Sequence, residues 1–212
     1  MRSSIRITLL AVAMIAAPAA QRADAQFVDQ SQNIANAFNA SNHRVGQTFK
    51  PSATNVVGAG AFILNPSNSI FTALLSVELW AGGIANTPGA VLIASGTQSY
   101  TLAAHASGWV DAFWSAVTVT PGTTYFLDYG STRDVARFGR FCCTKPIPSL
   151  AYVDGDLYRG NSSSFGTTYT EVAESDLTFR EYAVTTTPEP ATAALLATGL
   201  LGVFGIARRR KA

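Results

Sequence analysis

The sequence predicts an all-β fold: a single jelly-roll-like β-sandwich, flanked by an N-terminal signal helix and a C-terminal transmembrane helix. Three observations predict it. Short runs rich in β-branched and aromatic residues recur between residues 44 and 184, no segment of useful length carries a helical apolar period, and uninterrupted apolar stretches stand near both ends. With 212 residues, the chain has room for one well-packed domain once those ends are set aside.

Residues 1–25 begin with Arg2 and Arg6, continue through an apolar stretch from Ile7 to Ala17, and reach Ala23-Asp24-Ala25. The small-x-small pattern at Ala23 and Ala25 is what signal peptidase accepts, so the segment reads as a secretory signal peptide. A core helix would need a polar face, and Leu9 to Ala17 has none. Residues 26–43 follow as an N-terminal arm; Gln30 to Asn42, rich in Asn, Ala and Gln, reads as a short helix or an ordered arm.

The sandwich is expected over residues 44–187. Leu75, Val77 and Leu79 alternate with Ser76, Glu78 and Trp80, and Tyr125, Leu127 and Tyr129 alternate with Thr124, Phe126 and Asp128, so one face is buried and the other largely wet. Further runs are Val56 to Leu64, Ala90 to Ala94, Trp109 to Trp114, Ala116 to Thr120, Leu150 to Val153 and Leu177 to Val184. Asn65-Pro66, Thr87-Pro88-Gly89 and Pro121-Gly122 separate them as turns. No internal repeat is visible, which argues against a propeller or solenoid.

Charge narrows the partners. The formal net charge is +2, but between Gln26 and Thr187 eight Lys and Arg face eleven Asp and Glu, leaving the body at −3. A nucleic-acid binder is expected to carry a basic face, so nucleic acid is not expected as a partner. Cys142 and Cys143 are adjacent and cannot form a long-range staple; a bridge between neighbours and pairing with another molecule are both compatible with the sequence.

After Thr185-Thr186-Thr187 come Pro188-Glu189-Pro190, an apolar segment from Ala191 to Ala207, and Arg208, Arg209, Arg210 and Lys211. About 17 residues at roughly 1.5 Å each give about 26 Å of helix, just enough to span a bilayer. The basic cluster stays on the cytoplasmic side of the inner membrane, which places the body outside. An ordinary single-pass anchor would share these physical properties. The three parts in this order closely resemble the PEP-CTERM sorting domain of bacterial exported proteins, over residues 188–212. The resemblance implies recognition by exosortase, a membrane-embedded protease, and cleavage near the Pro-Glu-Pro triplet. It further implies residence in the cell envelope or extracellular matrix and association with exopolysaccharide. Two prolines keep residues 188–190 extended, which presents backbone to a protease beside the bilayer.

Several pieces of the body, in order, resemble the choice-of-anchor R type of surface β-sandwich. They are Gly46-Gln47-Thr48-Phe49, Val77-Glu78-Leu79-Trp80, Pro88-Gly89, Ala94-Ser95-Gly96, Gly108-Trp109-Val110, the run from Pro121 to Leu127, and Asp176-Leu177-Thr178-Phe179-Arg180. Residues Arg133 to Pro148 depart from that pattern, where a glycine-rich loop is expected. The resemblance implies a jelly-roll sandwich like those of carbohydrate-binding modules and brings no established ligand.

Candidate chemistry is sparse. His43 and His105 stand outside metal-ligand spacing, and Ser162, Ser163 and Ser164 lack a nucleophile elbow, so neither catalysis nor a cofactor is expected. Asp154-Gly155-Asp156 supplies too few oxygens for calcium and reads as a polar turn, with no metal site expected. The ligand candidates are Trp80, whose ring can stack on a sugar beside Ser76 and Glu78, and the basic aromatic stretch with Arg137 and Arg140, which can grip an anionic polysaccharide. Against these stand a core tryptophan and a solvated loop. The expected function is therefore an exported, non-catalytic envelope or exopolysaccharide-associated protein; the alternative is a carbohydrate-binding module.

Overall fold

The computed structural model describes residues 25–40, 44–142, 152–161 and 168–185. Ala23, the helix expected before it, the Pro188-Glu189-Pro190 triplet, residues 191–207 and Arg208 to Arg210 lie outside the described residues. No helix among the described residues is long and apolar enough to cross a membrane.

Every described element is a β-strand. In chain order they are β1 (Ala25–Gln32), β2 (Ala37–Ala40), β3 (Val45–Phe49), β4 (Asn55–Leu64), β5 (Phe71–Ala81), β6 (Val91–Leu102) and β7 (Ser107–Thr118). There follow β8 (Tyr125–Ser131), β9 (Arg137–Cys142), β10 (Leu157–Gly160), β11 (Tyr169–Glu171), β12 (Ser175–Leu177) and β13 (Phe179–Thr185). A seven-stranded sheet runs β1-β13-β4-β9-β12, with β2 paired to β9 and β7 to β4; a six-stranded sheet runs β11-β10-β3-β8-β5-β6.

The two sheets are antiparallel and face each other across one core, the sandwich the alternation predicts. Val45, Phe49, Leu75, Val77, Leu79 and Leu127 from the six-stranded sheet meet Ala59, Ala61, Ile63, Phe138, Leu177 and Phe179 from the seven-stranded one. Each fully buried Leu, Ile or Phe contributes roughly 1.5–3 kcal/mol, so this interior holds the fold. One buried polar group joins the layers: Gln47 on β3 accepts from the Leu177 amide of β12 at 2.7 Å and donates to the Thr48 carbonyl. Asn65 fixes a corner, donating to the Ser69, Leu102 and Ala103 carbonyls and accepting from Ser67.

The strands differ from the expected runs in instructive places. Residues 26–40, read as arm or helix, carry β1 and β2, which pair with β13 and β9, so the sandwich begins well before residue 44. Their Asn, Gln and Ala residues have weak strand propensity, and pairing with neighbours decides the outcome. Trp109 to Trp114 and Ala116 to Thr118 belong to one long strand, β7, with a register shift opposite Val56 and Gly58, and Val119 and Thr120 lie beyond its end. The basic aromatic stretch is not a loop from Arg137 onward: it is β9, hydrogen-bonded to β2, β4 and β12. Tyr152 and Val153 are not in a strand. The run Leu177 to Val184 divides at Thr178, whose amide donates to Gly139 and whose carbonyl accepts from Phe62, tying β9 to β4. Cys142 is disulfide-bonded, and Cys143 lies outside the described residues.

Candidate functional site

Strand alternation sends two sets of side chains outward, one from each sheet, and the two outer faces differ. On the six-stranded sheet, Trp80 lies on the face shared with Ser76 and Glu78, as its parity requires. It is half-buried, and its Nε1 donates to Glu78 Oε2 at 3.1 Å. Beside it Arg44 meets Asp128 Oδ2 at 2.7 Å and Glu78 Oε2 at 3.5 Å, with Arg44 and Asp128 only 2% and 1% exposed. Burial lowers the Arg44 pKa, but the charge and hydrogen bond of Asp128 outweigh it and the net shift is upward. Phe126 is buried under Tyr158 and Tyr169, whose rings meet it edge-on at 5.7 and 5.1 Å. The Arg44 cluster and Phe126 are thus closed over by neighbouring side chains, while Leu74 and Leu92 on the same face are exposed. A groove of about 370 Å³ remains at its edge, between Gly82 to Ile84 and the Phe126 and Tyr158 rings.

On the seven-stranded sheet the outer face stays open. Gly58 and Gly60 of β4 form a floor over which β7 and β13 reach toward each other. Above Gly58, Phe113 and Tyr182 pack with ring centroids 5.0 Å apart. Above Gly60, the Arg180 guanidinium pairs with Asp111, Nε to Oδ1 at 2.7 Å. At the next step along β4, Phe62 stands between Trp109 at 5.6 Å and Phe38 of β2 at 6.4 Å. Arg180 also lies over the Trp109 ring at 4.4 Å and the Tyr182 ring at 5.5 Å, so aromatic and polar groups interlock. The rings are partly exposed, and Phe113 is 46% exposed. The Asp111 hydrogen bond, ahead of the opposing effect of burial, raises the Arg180 pKa; burial and then the Asp111 charge push the Tyr182 hydroxyl up to about 12.

The ligand candidates therefore do not converge. Trp80 belongs to one outer face, Arg137 to the other, since Arg137 pairs with Leu64 while the adjacent Phe138 and Ile63 are both core residues. Arg140, three residues on, projects oppositely and has its Nε buried. Trp114 packs against the core, whereas Trp109 faces out. Asp154 pairs with Lys50 at 3.3 Å, and the Asp156 backbone exchanges hydrogen bonds with Thr48. No group of three or more metal-ligating side chains occurs among the described residues. His105 meets Asn68 at 2.8 Å, in a turn where its φ is 56°.

Sequence reasoning passed over Phe38, Phe62, Asp111, Arg180 and Tyr182. Part of the signal was present, because Trp109, Asp111 and Phe113 alternate along one strand. Which strands lie beside it depends on register, and a single sequence leaves that open.

Residues 186–211 match the family model of the PEP-CTERM protein-sorting motif. No curated protein matches the chain. The motif supports an exported protein sorted through its C-terminal signal, and it implies processing by exosortase, a membrane protein.

Proposed function

We propose that this protein is a non-catalytic component of the cell envelope or its exopolysaccharide matrix, delivered as a membrane-held precursor and released by proteolysis. A signal peptide over residues 1–25 leads export, and signal peptidase cuts after Ala25. The apolar segment 191–207 then holds the body at the inner membrane, with Arg208 to Arg210 inside, until exosortase cuts near Pro188-Glu189-Pro190. The observation that carries this reading is the motif match at residues 186–211. The body supports it: residues Gln26–Thr185 form a compact unit by themselves, with β1 starting where the signal peptide would end and β13 stopping at Thr185, just ahead of the motif. Cleavage after Ala25 would thus remove only the first residue of β1, and cleavage beyond Thr185 none of β13.

The test is to replace Pro188-Glu189-Pro190 by three alanines in the producing cell and fractionate it. The altered chain is expected to accumulate at precursor size in the inner membrane, while the unaltered chain moves to a shorter form outside it. Equal processing of both would end the proposal.

A second reading, a carbohydrate-binding module, is favoured by the row of partly exposed rings over the β4 glycines. Aromatic faces bury the apolar faces of sugar rings while neighbouring polar groups take the hydroxyls.

A further inference from the structure

We infer that the outer face of the seven-stranded sheet binds an acidic, uronate-type glycan chain along the strip from Tyr182 and Phe113 through Trp109 to Arg137. The inference rests on the carbohydrate-binding reading and narrows it to one face and one chemical class.

Three observations carry it. The strip is continuous: the Arg180 guanidinium, paired with Asp111, lies 5.5 Å from the Tyr182 ring and 4.4 Å from the Trp109 ring, and so links the Phe113 and Tyr182 rings to the Trp109 and Phe62 rings. That is an apolar, polar, apolar sequence on the scale of a few linked sugars, whose ring faces are apolar and whose edges carry hydroxyls. The platform is also rigid. A Cβ on Gly60 would lie 1.9 Å from Asp111 Oδ1, and one on Gly58 2.4 Å from the Phe113 ring, so the side chains are seated directly on the glycine backbone. A surface fixed before binding loses little freedom on binding.

The third observation is charge. Arg137 follows Phe62 on the same face, through its pairing with Leu64, and has no ion-pair partner among the described residues, whereas Arg180 is neutralised by Asp111. A guanidinium fork with no carboxylate of its own is complementary to a carboxylate brought by the ligand. The opposite outer face lacks this arrangement: its arginine is buried between Asp128 and Glu78, and Phe126 is covered. Because the body carries −3 overall, attraction to a polyanion depends on local cations, and Arg137 supplies one on this strip.

The test is affinity electrophoresis of the full chain in detergent through gels holding polygalacturonate, a neutral glucan, or no polymer. The unaltered chain is expected to be retarded by polygalacturonate. Trp109→Ala should weaken retention about tenfold, the loss of one well-placed stacking partner. Arg137→Ala should weaken it on polygalacturonate and leave the neutral gel unchanged, and added salt should reproduce that loss. Trp80→Ala should retain full affinity. Phe113→Ser, at the most exposed ring, supplies a second variant should Trp109→Ala fail to fold.

Retention lost with Trp80→Ala and kept with the Trp109, Phe113 and Arg137 variants would overturn this face while leaving carbohydrate binding intact. Equal retention on neutral glucan, indifferent to Arg137→Ala, would overturn the acidic class. No retention on either polymer would end both this inference and the carbohydrate-binding reading.

Discussion

Glu181 sits between the sheets with no exposed surface, a carboxyl where a sandwich core ordinarily places a hydrocarbon. Burial, then the nearby Asp29 charge, pushes its pKa up to about 9 from 4.5. The folded protein therefore holds a proton there that the unfolded chain has released at neutral pH. Stability from this group is fully present below about pH 4.5 and is lost as pH rises toward about 9, at up to roughly 1.4 kcal/mol per pH unit. Glu181→Gln, which keeps the shape and removes the titration, is expected to raise the melting temperature at pH 8 more than at pH 5. An unchanged pH slope in the Gln variant would contradict the assignment. The two arginine pairs make a second comparison at this scale. Arg44→Met leaves Asp128 buried beside Glu78 without its cation and is expected to cost about 3–5 kcal/mol. Arg180→Ala breaks a partly exposed pair and should cost about 1 kcal/mol. Denaturant melts of the two variants give both numbers, and equal losses would show that burial does not separate them.

At the scale of elements, β4 decides the form of the outer face, because its glycines let β7 and β13 close above it. Gly60→Ala is expected to displace Asp111 and cost about 1–3 kcal/mol. Gly108→Ala, on β7, meets nothing closer than 3.9 Å and should be neutral or gain about 0.4–1 kcal/mol through the unfolded chain. Chemical denaturation of both variants checks the contrast, and a neutral Gly60→Ala would mean that the floor is not tight. The same strand shows how far the sequence could be followed. The runs at β4, β5 and β8 were legible because their apolar residues alternate against polar or small ones and each is bounded by turn residues. β9 was not legible, since Arg137, Gly139 and Arg140 dilute its phenylalanines, and its strand character comes from pairing with β2, β4 and β12. β1 and β2 were hidden for the same reason. On the candidate site, Arg137 and the outward direction of Trp80 could be read from pattern, but the open face assembles Phe38, Phe62, Trp109 and Tyr182 from four strands. Only register brings them together.

At the scale of the whole molecule, the chain separates delivery from work. The charge that makes it basic overall lies in the end segments, where seven of fifteen Lys and Arg occur, and the body between them is mildly acidic. The sorting motif occupies residues 186–211, immediately after the last strand, so no sheet pairing among the described residues depends on it. A tail so placed can be removed without interrupting a described strand, and on the proposed function its removal releases the sandwich. The central claim is that this removal happens. The most direct measurement is intact mass of the protein from the native envelope or secreted fraction, taken beside the same protein from cells lacking the exosortase. The account predicts a chain beginning at Gln26 and lacking the segment from about Ala191 onward when the protease is present, and a chain retaining that segment when it is absent. A protein that still carries Arg208 to Lys211 in both cells would be a permanent single-pass anchor, contradicting the account.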